Sequence, residues 1–508
     1  METFQLLMDG IAVALTPTNL LACLVGGILG LIVGAMPGIG SLAGVSLLLP
    51  LTFKMNPTSA IIMLAALYYS NMYGGSFSAI LINIPGDSPA IMTALDGYPM
   101  ARAGKAGKAL FTANISSWIG GTIGIIILTI LGPMAAKFGL KFGPPDLAWL
   151  ILLALTSIGW VIGDSPSRGL LATALGIMIA TVGLDAALGQ PRFSFNNVNL
   201  FSGINMIPIV IGMFGFGQVI DMVVDRANYK KVKATRITIR ESLLDKSEIK
   251  RILPVSVRQG FFGTFIGVLP GAGATMAAFL SYIMEKRINK NRDKMGTGVV
   301  EGIAAAESSN NGAAIGAFAP LLALGIPGGG TTAVLLGGLM MWGLQPGPRL
   351  FADQKEFVWG LIGSMYIGNI ICLLIAIACI PILMNVVRIP SAYMIPSITA
   401  VCVFGTFATN NNIFDVYMML GFGVLAYLLK LARIPMAPLL LSYVLTKMLE
   451  MYIRQSFDIG AGSLAIFFKS TISIVLIALI LLFTLAPALV NSLKKKNAIK
   501  GDVVDGGS

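Results

Sequence analysis

Four proline–glycine breaks interrupt apolar runs of the chain, and the polar residues capable of chemistry gather beside them. Two breaks have the form P-G-x-G, at Pro37–Gly40 in "AMPGIGS" and at Pro270–Gly273 in "VLPGAGA". The other two lie in "ILINIPGDSPAIMTALDGYP" (residues 80–99) and "LGIPGGGTT" (residues 324–332). Proline removes an amide donor and clashes with the preceding turn, while glycine tolerates positive φ, so each break ends a helix inside an apolar run. Backbone groups freed at membrane depth must be buried in protein or face a wet cavity. Interrupted segments at matching places in two halves point to a transporter binding site. Lone Asp87 and Asp96 do not form a paired active site. The chain holds no histidine and no G-x-S-x-G, which excludes histidine triads, the H-E-x-x-H zinc site and histidine proton relays.

The elements that must position these residues are membrane helices. Of 508 residues 56% are hydrophobic and 11% charged, far below the charge of a soluble domain. Long apolar runs occupy residues 18–36, 107–136, 146–163, 167–190, 200–224, 357–388, 412–431 and 464–490. With shorter, broken segments between them, they predict an all-α polytopic membrane protein of about 10 to 14 membrane elements. The N-terminus lacks the basic n-region of a cleavable signal, so the first helix is expected to serve as its own insertion signal. Cys23, Cys372, Cys379 and Cys402 lie in apolar runs without metal-ligand spacing and read as core residues.

The net charge of +12 sits beside membrane segments rather than in a nucleic-acid motif. Residues 225–258 carry ten basic and four acidic side chains, and "LKKKNAIK" (493–500) lies near the C-terminus. The positive-inside rule places both in the cytoplasm, and no nucleic-acid partner is expected. The organisation is then a membrane repeat at 1–224, a basic connecting loop at 225–258, a second repeat at 259–490 and a tail at 491–508.

The two halves are pseudo-symmetric. Gly34, Pro37, Gly38 and Gly40 superpose on Gly267, Pro270, Gly271 and Gly273; Gly74, Ile84, Pro85 and Gly86 superpose on Gly316, Ile326, Pro327 and Gly328. The break prolines are 48 positions apart in the first half and 57 in the second. Residues 260–284 are apolar between basic flanks, so a re-entrant hairpin is expected there, with both ends on the cytoplasmic side. For residues 18–53 a full helix followed by a half helix is an equal alternative.

These motifs, together with "EGIAAAESSNNGAAIGAFAPLLALGIPGGGTTAVLLGGLMMWGLQPGP", "TVGLDAALGQPRFSF" and "NNNIFDVYMMLGFGVLAYLLK", resemble the large membrane subunit of tripartite tricarboxylate transporters, the TctA family, from about residue 18 to 485. The resemblance implies a cation-gradient-driven secondary importer of carboxylates in a bacterial inner membrane, not an enzyme. It implies two partners, a small membrane subunit of about four helices and a periplasmic solute-binding protein, and leaves a homodimer open. An anion channel and an intramembrane hydrolase are the alternatives.

For a carboxylate substrate the half-helix N-termini supply donors without a buried lysine. The residues expected at the substrate are Pro85, Gly86, Asp87, Ser88 (as helix cap) and Thr93 on one arm, and Pro327, Gly328, Gly329, Gly330, Thr331 and Thr332 on the other. Ser76, Asn83, Asn310 and Asn311 add side-chain hydrogen bonds. The glycines of both Pro-Gly tips are expected to let backbone approach the ligand. No cofactor is expected. The coupling ion is sodium or a proton, with carbonyls at Gly38, Gly40, Gly271 and Gly273, helped by Asp87 or Glu307, as the metal set. Asp96, Asp164 and Asp185 read equally as caps at interfaces.

Overall fold

The computed structural model describes residues 2–36, 39–161, 166–185, 189–224, 239–382, 391–482 and 484. Pro37, Gly38, Asp164, residues 225–238 of the basic connecting loop and the C-terminal tail therefore lie outside the described residues. The first half runs α1 (Glu2–Ala14), α2 (Pro17–Ala35), α3 (Gly40–Leu48), α4 (Pro57–Ile82), α5 (Ile91–Arg102), α6 (Ala106–Gly139), α7 (Pro144–Val161) and α8 (Pro166–Ala180). A two-residue antiparallel pair, β1 (Gly183–Leu184) with β2 (Pro191–Arg192), precedes α9 (Met206–Val210), a π-helical stretch (Ile211–Phe216) and α10 (Gly217–Val224). The second half holds α11 (Ile239–Ser242), α12 (Lys246–Val268), α13 (Gly273–Ile288), α14 (Val300–Gly316), α15 (Phe318–Leu324) and α16 (Gly330–Met341). It continues through α17 (Pro348–Asp353), α18 (Lys355–Ala378), α19 (Ser391–Asn410), α20 (Ile413–Leu431) and α21 (Met436–Ile459). Seven helices are long and apolar enough to cross a membrane, and six shorter apolar helices accompany them among the described residues. The protein is all-α and polytopic.

Local signals explain where these helices start and stop. Proline occupies the first turn of α2, α4 and α17, where its missing N–H costs nothing. The Asn56 side chain caps α4 by accepting the Thr58 N–H. Asp245 and Glu248 form a reciprocal capping box at α12. Hydrogen bonds from Ser247 and from the Glu248 backbone hold the Asp245 carboxyl well below the usual carboxylate range. At the far ends, α4 stops on Asn83 in the left-handed region (φ 59°) and α15 on Gly325 at φ 71°.

α4 and α14 form the centre. Every residue of α14 is buried, as is α4 from Ser59 through Ile80, so neither shows the one-sided pattern of a surface helix. α2 packs along α4; α6 and α12 pack along α14; α18 touches α1, α4 and α6. The halves are interleaved, with α5 and α6 against α14.

α12 and α13 make a helical hairpin. The Arg258 guanidinium donates to the Glu285 carboxylate at 2.7 and 2.8 Å, and the Gln259 amide donates to the same group at 2.8 Å. Both ends of the 260–284 segment therefore meet at one end of the molecule. In the first half the corresponding elements are the 19-residue α2 and the 9-residue α3.

The two halves repeat the same close contacts. Gly34 lies against the carbonyl of Asn71 as Gly267 lies against that of Ala313. Gly74 meets the Leu31 carbonyl as Gly316 meets that of Thr264, and Gly86 meets the Gly34 carbonyl as Gly328 meets that of Gly267. Gly40 and Gly273 open α3 and α13 at φ 65° and 61°. A Cβ at several of these positions would overlap backbone, so glycine is what lets each interrupted helix seat on its neighbour.

Candidate functional site

Four helix ends converge on one cavity of about 630 Å³. It is lined by the start of α3 (Gly40, Ser41), the first tip (Pro85–Pro89), the start of α13 (Gly271–Met276) and the second tip (Gly329–Thr331). Tyr68 and Met72 of α4 complete one wall. The opposite wall is the π-helical stretch with α10, through Met213, Phe214, Gly217, Gln218 and Asp221, together with Tyr427 of α20 and Met436 of α21. A π-helical turn widens the backbone spiral and often marks a functional site. Sequence reasoning missed this wall; the glycines of "IGMFGFGQ" were its one visible signal.

The tips are tied to each other across the halves. The Asp87 carboxylate accepts the Ser41 N–H at the start of α3 (2.8 Å) and the Ser88 N–H of its own turn (2.7 Å). Asp87, not the expected Ser88, is thus the cap of the 3-10 turn Ser88–Ala90 that leads into α5, because its side chain is the one in reach of the first free N–H. Ser41 Oγ and Thr331 Oγ1 stand 3.1 Å apart, joining α3 of one half to α16 of the other. The Gly271 N–H donates to the Gly328 carbonyl (3.1 Å), and the Thr332 hydroxyl accepts the Gly329 N–H (2.9 Å). Charged lining groups among the described residues are Asp87 and Asp221, the latter paired with Lys430 at 2.8 Å.

Of the residues expected at a substrate, Pro85, Gly86, Asp87, Ser88, Gly329, Gly330 and Thr331 line this cavity; Pro327, Gly328 and Thr332 stand behind it. Ser76 is buried and donates to the Tyr73 carbonyl, and Asn83 is an exposed helix terminator, so neither reaches it. Thr93, Asn310 and Asn311 belong to a second cluster around Glu307. The wholly buried Glu307 carboxylate accepts from the hydroxyls of Thr93 and Ser117 (the latter 3.0 Å) and from the Asn310 amide (3.2 Å). No Lys or Arg pairs with it among the described residues. Asn311 donates to Asn310 Oδ1 at 2.8 Å, and its own Oδ1 has no partner; Asn71 and Asn114 are also buried with both amide atoms unpaired. Gly40, Gly271 and Gly273 line the cavity while Glu307 does not, so the structure separates the expected metal set; Gly38 lies outside the described residues.

Asp96 is a structural anchor. Its buried carboxylate accepts the N–H groups of Gly296 (2.9 Å), Gly298 (2.9 Å) and Val299 (3.0 Å) just before α14, and the Tyr282 hydroxyl (2.8 Å). Asp185 instead pairs with Arg192 and Arg454. Replacing Asp96 by Ala orphans those donors and should cost about 3 kcal/mol or more, against about 1 kcal/mol for Tyr282→Phe. Thermal melts of the detergent-purified chain check this; equal melting of Asp96→Ala and the wild type would show that the anchor carries no stability.

Interrupted helices gathered around a central cavity define this chain as a multi-pass membrane protein of the transporter type. Its sequence matches the tripartite tricarboxylate transporter TctA family over residues 20–441, and the chain belongs to that family. It is 38% identical over 478 residues to an uncharacterized 52.8 kDa protein in the TAR-I ttuC' 3' region of Agrobacterium vitis, covering 94% of this chain and 95% of that one. A second Agrobacterium vitis protein, from the TAR-II ttuC' 3' region, is 37% identical over 234 residues, covering 46% of this chain and 96% of the relative. No solved structure matches the chain. Family membership makes the protein a transporter component and not an enzyme.

Proposed function

We propose that this chain is the large membrane subunit of a cation-gradient-driven carboxylate importer. It resides in a bacterial inner membrane with its central loop and C-terminus in the cytoplasm. A periplasmic solute-binding protein feeds it and a small membrane subunit accompanies it. The observation that carries the reading is the convergence of four interrupted-helix ends on one cavity. Helix N-termini at α13 and α16 turn backbone N–H groups and positive dipole ends toward an anion, which offsets the absence of a lysine or arginine among the described lining residues. The coupling cation is sodium or a proton, and its place is Glu307. A buried carboxylate without a basic partner is costly unless a proton or cation joins it, and the Thr93 and Ser117 hydroxyls that meet the Glu307 carboxylate add oxygens beside it. Thr93 follows the first tip, so a cation at Glu307 and a substrate at the tips bear on the same arm.

The test is uptake of labelled mono-, di- and tricarboxylates into vesicles holding this subunit and both partners, with and without sodium and proton gradients. The expected result is saturable uptake that stops when one of the gradients is removed. Flux that rises linearly with substrate and ignores both gradients would make the protein a channel and sink the proposal.

A further inference from the structure

The two halves bring the same backbone to the cavity but different side chains, and the decisive difference lies at one pair. Asp87 and Gly329 hold equivalent places, each directly after the break glycine that rests on the carbonyl of its hairpin, Gly86 on Gly34 and Gly328 on Gly267. In the first half the Asp87 carboxylate sits on the N-terminus of α3, 2.8 Å from the Ser41 nitrogen. In the second half α13 opens with the same backbone turn at Gly273, yet among the described residues no carboxylate caps it. A Cβ at Gly273 would meet nothing within 4 Å, and one at Gly329 would meet only the Gly273 Cα at 3.6 Å. Both glycines face the 630 Å³ cavity.

We infer that Asp87 is a built-in carboxylate filling one of two equivalent anion positions, and that a substrate carboxylate takes the other, between Gly273 and Gly329. The inference rests on the carboxylate-import reading above and adds a specificity-determining residue to it. One anion position is occupied by the protein itself, so only one is left for the substrate. Asp87 also repels a second carboxylate that approaches the α3 end, while its oxygens favour a hydroxyl there. Asp221 adds little repulsion because Lys430 pairs with it. The substrate that fits best places a carboxylate at the α13 tip and a hydrogen-bond donor at the α3 tip.

The test compares wild type, Gly329→Asp, Gly329→Ala, Asp87→Gly and Asp87→Asn in the vesicles described above, with 4-hydroxybutyrate, succinate and citrate as probes. Gly329→Asp places a second internal carboxylate on α13. The Gly329 backbone is extended (φ −171°) and the added Cβ is in ordinary contact, so folding does not forbid it. Its KM should rise at least about tenfold above that of Gly329→Ala, which adds the Cβ without the charge; the magnitude is that of one carboxylate on a helix terminus in a partly buried setting. Asp87→Gly and Asp87→Asn should both raise the succinate-to-hydroxybutyrate preference about tenfold. Asn keeps a capping oxygen, so it separates charge from loss of the turn. Equal KM for Gly329→Asp and Gly329→Ala, or an unchanged preference in both Asp87 variants, overturns the inference while leaving the import reading intact. Wild type that takes up none of the three probes or any other carboxylate removes the parent reading, and the inference with it.

Discussion

Gly86→Ala abolishes uptake, at least about tenfold below wild type, whereas Gly329→Ala directly after the equivalent Pro-Gly break loses far less. The new Cβ at Gly86 would stand 1.7 Å from the Gly34 carbonyl oxygen, an overlap that only displacement of the first tip can relieve. Gly328→Ala is milder, since its Cβ falls 2.7 Å from the Gly267 oxygen and from the Ala317 Cβ. Overpacking of this kind costs about 1–3 kcal/mol, one to two powers of ten if it falls wholly on the substrate-ready tip. The order Gly86, then Gly328, then Gly329 is what transport assays on membrane-inserted protein should return. Near-wild-type uptake by Gly86→Ala would mean that the tip does not hold substrate. The sequence reading attributes these glycines to close approach of the ligand; the structure adds that Gly86 and Gly328 seat each tip on its own hairpin.

Glu307→Gln uncouples. The amide keeps the shape and one oxygen for one of the Thr93 and Ser117 hydroxyls, but it carries no charge for a cation and no carboxylate to take up a proton. Net uptake driven by a cation gradient should fall at least about tenfold, a loss equal to about 1.4 kcal/mol of coupling, while exchange of labelled for unlabelled substrate persists. Counterflow and gradient-driven uptake, measured on the same vesicles, check this. A variant with full gradient-driven uptake and unchanged cation dependence places the coupling ion elsewhere.

How much of this was legible in the sequence differs by element. The four breaks were legible because Pro-Gly inside an apolar run has a single backbone consequence, and the paired spacing told which breaks correspond. The α12–α13 hairpin was legible through its basic flanks. α4 and α14 were not, because helices buried on every side lack amphipathic period; Asn310 and Asn311 read as substrate hydrogen-bonding residues although they lie within α14, beside Glu307. The π-helical wall left only the glycines of "IGMFGFGQ" as a signal, because a π turn follows no residue period of its own. Glu307 was marked as ionisable and functional, but distance between two sites in a folded core is not encoded in spacing along the chain. Nothing in the order of residues separated it from the glycine tips.

The Asp96 anchor also sets an order of events during synthesis. Its acceptor oxygens lie in the first half, and the backbone donors that satisfy them begin 200 residues later, at Gly296. At a ribosomal rate of about 5–20 residues per second, some 10–40 seconds pass before that loop exists. The 57-position separation of the second half's break prolines is nine longer than its counterpart, and the stretch contains this loop. For that interval α5 holds a carboxylate with no donors from the loop, and a nascent chain stopped before residue 296 keeps it so. The first half of the fold is thus closed by a loop of the second, and α5 gains its anchor only once residues 296–299 have joined it.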